Sequence, residues 1–61
     1  MNKEVAKLML YDTADMIRKL NSMSKELPIY LSNKCYEIVG KLWVLENEIC
    51  EEYQVKAVDE Q

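Results

Sequence analysis

The sequence predicts an all-α fold, an antiparallel helical hairpin that self-associates into a four-helix bundle. Three observations predict it. Apolar residues recur at steps of three and four through two long stretches, the period of an amphipathic helix. A single Gly and a single Pro interrupt the 61 residues. The apolar arc of the second stretch is wider than the ~100° stripe of an ordinary surface helix, too wide for the first stretch to cover.

The first helix is predicted over residues 3–23. Asn2 is a suitable N-cap, and Glu4 in the first turn favours the positive end of the helix dipole. Its apolar stripe is Ala6, Met9, Leu10, Thr13, Met16, Ile17, Leu20 and Met23, with Val5 at the edge. Asp15 and Lys19 stand four apart in the favourable order. The cap-like cluster around Ser24 precedes Pro28, and proline is tolerated in the first turn of a helix but not in its interior. A turn is therefore placed at residues 24–27; the alternative is one continuous, kinked helix. A short connection between two long helices makes an antiparallel pair.

The second helix is predicted over residues 28–54, with residues 55–61 as a frayed tail. Leu31, Cys35, Ile38, Leu42, Leu45 and Ile49 form one seam, which the hairpin is expected to pack on helix 1. Tyr36, Val39, Trp43 and Cys50, with Ile29 at the start, form a second line, expected to meet another subunit; periodicity alone does not decide which line takes which role. Glu46 falls inside the arc. The simplest expectation places it at an interface rim with its carboxylate in water; the sharper one makes it a register-setting group or an anchor for a basic partner residue. Gly40, mid-helix, lowers helix propensity by about 1 kcal/mol relative to Ala and marks a bend or a close approach. The longest unbroken apolar run is Leu42 to Leu45, far short of the ~20 residues that cross a bilayer.

A chain this short buries too small a fraction of its surface to be comfortably stable alone and usually needs a disulfide, a metal or a partner. Cys35 and Cys50 lie about 22 Å apart along one helix, too far to bridge within the chain, and both read as small buried hydrophobes. The chain contains no histidine and no close cysteine pair, so no metal site is expected. Self-association, most simply as a homodimer, is the remaining remedy. No signal peptide is evident, and two reduced cysteines point to the cytoplasm.

The same inventory argues against an enzyme. Without histidine the commonest general base is missing, and without a Gly-rich loop there is no phosphate cradle. Glu46, Glu48, Glu51 and Glu52 cluster as charges do on solvated helix faces. No catalytic residue and no cofactor is assigned. Net charge is -3, which disfavours nucleic acid and makes acidic mimicry of DNA a weak option. The charge is uneven, however. Lys7, Tyr11 and Arg18, with Lys3, form an aromatic and basic patch on the outer face of helix 1. Two such patches in a dimer would grip a nucleic-acid backbone, an architecture similar to that of small plasmid RNA-binding hairpin dimers, though without a shared motif.

The expected function is that of a small non-enzymatic regulator or inhibitor acting on a protein target through a helix face. The expected contact surface is Tyr36, Val39, Trp43, Glu46 and Cys50, with Lys7, Tyr11 and Arg18 as a second patch. The competing expectations are RNA binding and a purely structural oligomerisation module.

Overall fold

The computed structural model describes residues 2–56 as two helices packed against each other, α1 (Lys3–Ser24) and α2 (Ile29–Tyr53). The chain turns at residues 25–28 and runs back, giving the predicted hairpin rather than one kinked rod. The predicted tail overlaps this range only at Val55 and Lys56, which are not helical; its last five residues lie outside the described range.

Local chemistry sets the ends. Asn2 is extended (φ -97°, ψ 176°), and its side-chain oxygen accepts the Val5 amide at 2.9 Å, which satisfies one of the orphan donors of the first turn. The connection is tightened by short-range bonds, Glu26 N to Met23 O at 2.9 Å among them. Pro28 precedes α2 as its cap rather than standing inside it. It offers no side-chain cap, but its carbonyl accepts the amides of Leu31 and Ser32 at 3.0 and 2.9 Å. At the far end Gln54 adopts the left-handed conformation (φ 54°, ψ 52°), and the Val55 amide returns to Cys50 O at 3.1 Å. That is the usual way to close a helix, with glutamine where glycine is the least strained choice.

The buried line of α1 is Ala6, Leu10, Thr13, Ala14, Ile17 and Ser24; that of α2 is Ser32, Cys35, Val39 and Glu46. Most of these side chains are small. Small groups along a contact let two helix axes approach closely, since interaxial distance is set by the side chains between them. Near the turn the contact is polar: Ser32 Oγ donates to Ser24 O, and Ser24 Oγ donates to Asn21 O at 2.7 Å. Thr13 Oγ1 likewise donates to Met9 O at 2.7 Å, so its hydroxyl is satisfied within its own helix.

This packing departs from the expected seam. Of that seam only Cys35 is buried; Leu42 and Ile49 are half-buried, and Leu31, Ile38 and Leu45 are exposed. Val39, assigned by the sequence to another subunit, is buried inside the hairpin instead. The line that goes inside runs between the two expected lines, because it carries the smaller side chains and the bulkier ones fit at its sides.

Two outcomes follow for stability. Leu10 is the largest fully buried side chain, so Leu10→Ala should remove about 2–5 kcal/mol, enough to abolish most helical circular dichroism in so small a domain. A Cβ added at Gly40 meets nothing within 4 Å. Gly40→Ala should therefore gain about 1 kcal/mol of helix propensity and raise the thermal midpoint by about 4–8 °C.

Candidate interaction faces

The two flanks of the buried line are chemically different, and a simple rule separates them. In a right-handed helix the residue before a buried position is rotated about 100° to one side and the residue after it about 100° to the other. Two antiparallel helices facing each other turn their preceding residues to the same side of the pair.

On the first flank stand Val5, Met9, Met16 and Met23 of α1, preceding Ala6, Leu10, Ile17 and Ser24. From α2 come Leu31, Ile38 and Leu45, preceding Ser32, Val39 and Glu46. All seven are exposed, by 36 to 53%. Met9, Met16 and Met23 repeat every seven residues, as do Leu31, Ile38 and Leu45. A groove of about 320 Å³ on this side is lined by Met9, Asp12, Thr13, Met16, Leu45 and Ile49, so α1 and α2 contribute jointly to one apolar surface. By helix geometry its rim carries Asp12 and Lys19 on α1 and Lys34, Lys41 and Glu52 on α2. Lys19 also reaches Asp15 at 3.1 Å, an exposed pair.

On the second flank the following residues are Lys7, Tyr11 and Arg18 of α1 and Tyr36, Gly40 and Asn47 of α2. Trp43 stands beside them, after half-buried Leu42. Trp43 and Tyr36 are each 54% exposed. The Tyr36 hydroxyl lies 3.3 Å from Ser24 Oγ, which tethers the ring to the end of α1. Arg18 meets Asp15 at 3.7 Å, with both side chains largely in solvent; such a pair is worth little and yields readily to a partner. The helix geometry thus brings Lys7, Tyr11 and Arg18 to the side that also carries Tyr36 and Trp43, so two patches read separately in the sequence form one aromatic and cationic face.

Two residues of the expected contact surface do not belong to that face. Val39 and Glu46 are buried between α1 and α2, Glu46 to 5% exposure. The expectation of a rim carboxylate is overturned, for a geometric reason: Glu46 follows Val39 by seven residues, two helical turns, and shares its inward direction. Cys50 is half-buried, and neither cysteine is in a disulfide. Met9, Met16 and Met23, expected in the core stripe of helix 1, are instead exposed on the apolar flank, because the buried line runs one residue further on through Leu10, Ile17 and Ser24. The signal of that flank was the heptad spacing of the methionines, which reads equally well as core.

Among the described residues no helix is long and apolar enough to cross a membrane, and no group of three or more potential ligands is placed to hold a metal ion. No protein-family model, no curated protein and no solved structure matches the chain.

Proposed function

We propose that the protein is a small non-enzymatic regulator or inhibitor, a cytoplasmic homodimer that acts by docking a helix face on a larger protein. The observation that carries this reading is the joint face of Tyr36 and Trp43 with Lys7, Tyr11 and Arg18. Aromatic and arginine side chains dominate binding energy at protein interfaces. Here the aromatic rings stand exposed on helices, and with two χ angles each they lose little rotamer freedom on binding. Methionine and leucine on the opposite flank supply the surface for self-association.

A second reading, RNA binding by the dimer, draws on the same face, since Lys7 and Arg18 beside aromatic rings suit a phosphate backbone and stacked bases. The net charge of -3 weighs against it.

The test compares immobilised parent protein with two variants, Trp43→Ser and the double variant Lys7→Glu/Arg18→Glu, in extract of the source cell. The regulator reading predicts a protein that the parent retains and Trp43→Ser loses, while the circular dichroism of the variant is unchanged. Retention of nucleic acid that falls with salt and disappears in the double variant would establish the second reading instead. Identical retention by parent and Trp43→Ser would overturn the use of this face.

A further inference from the structure

We propose that the apolar ladder of Met9, Met16 and Met23 with Leu31, Ile38 and Leu45 is covered by a second copy of this chain packed turn end to open end, leaving Trp43 outward. This rests on the self-association in the functional reading above and reverses the role that periodicity suggested for Trp43.

Three observations select a second copy as the occupant. The first is size. The hairpin measures 40 by 21 by 15 Å, so the face across both helices has room for a footprint of up to about 800 Å² per partner, the scale of standard stable interfaces. The second is the repeat. Seven-residue spacing on both helices of one face is the pattern by which facing helices interlock knobs into holes. A two-fold axis brings identical ladders together, and the groove between Met9, Met16, Leu45 and Ile49 receives side chains from its own mate.

The third is charge at the rim. Asp12 and Glu52 lie toward the open end of the hairpin, Lys19 and Lys34 toward the turn. A two-fold axis running across both helices reverses one copy against the other and stacks α1 on α1 and α2 on α2. Asp12 then comes level with the mate's Lys19, and Lys34 with the mate's Glu52. An axis along the helices would keep the turn ends together and stack α1 on α2, setting Lys19 against the mate's Lys34. In the reversed arrangement Lys41, beside the axis, lies near the mate's Lys41. That arrangement therefore sets two kinds of opposite pair against one like pair, a surplus that the other, which brings Lys19 toward the mate's Lys34, lacks.

The chain contains one tryptophan, which reports on the other flank without any substitution. Dilution through the association range, followed by sedimentation equilibrium and acrylamide quenching of Trp43, separates the possible outcomes. A dimer whose indole is quenched as readily as in a diluted chain that circular dichroism shows to be still helical is the expected result, since Trp43 is 54% exposed in the hairpin itself. A monomer at all concentrations would overturn self-association and this assignment together. A dimer whose indole becomes protected would overturn the face assignment alone. For orientation, Lys34→Glu should weaken the dimer about tenfold, since each rim pair occurs twice and an exposed pair contributes a factor of about two to five. Lys34→Glu/Glu52→Lys should restore it. Failure of the double exchange to restore a dimer weakened by the single one would overturn the reversed packing.

Discussion

Everything in this hairpin depends on the line of mostly small side chains along which α1 and α2 meet. The contact is made by a narrow line in which Ala6, Ala14, Ser24, Ser32 and Cys35 are the typical members. Small side chains draw two backbones together, but they contribute little hydrophobic stabilisation, which scales with the apolar area removed from water. Leu10, Ile17 and Val39 supply most of what the buried line offers. The larger apolar side chains are displaced to the two flanks, which hold ten of the fourteen exposed large hydrophobic residues among those described. A contact line of small side chains and exposed flanks are therefore one property seen from two sides. A domain of this size has little stability to spare, and covering a flank is the direct way to add some.

The two flanks differ because the sequence treats the residue before a buried position differently from the residue after it. Preceding residues are mostly methionine, leucine, isoleucine and valine, with Asp12 and Lys34 among them; following residues are mostly cationic, aromatic or small and polar, with Asp15 the anionic exception. The first composition suits a permanent apolar contact. The second suits recognition, in which aromatic anchors give affinity and charges at the rim direct approach and register. Glu46 adds a constraint of another kind. A carboxylate taken into the helix contact is expensive unless the surroundings compensate it.

Much of the hairpin was legible in the chain. Asn2 announced the start of α1 through a side chain that can accept an amide, and the polar cluster before Pro28 announced the turn to within a residue. The inward line of α2 was not legible. Its apolar arc is so wide that Leu31 to Ile49 and Tyr36 to Cys50 fit the helix period equally well, and periodicity carries no information on how close a neighbour comes. Glu46 was misplaced because hydropathy argues for water while its seven-residue offset from Val39 argues for burial, and here geometry prevailed. That Lys7, Tyr11 and Arg18 share a side with Trp43 depends on the handedness of the pairing, which appears only once the two helices are set side by side.

The central claim is that the folded hairpin is stabilised by a second copy on its apolar flank. It is tested most directly by the thermal midpoint of the unaltered protein measured over a hundredfold range of concentration. Folding coupled to association makes the midpoint rise with concentration, by mass action. A midpoint that stays constant across that range, with full helicity at the lowest concentration, would contradict the account.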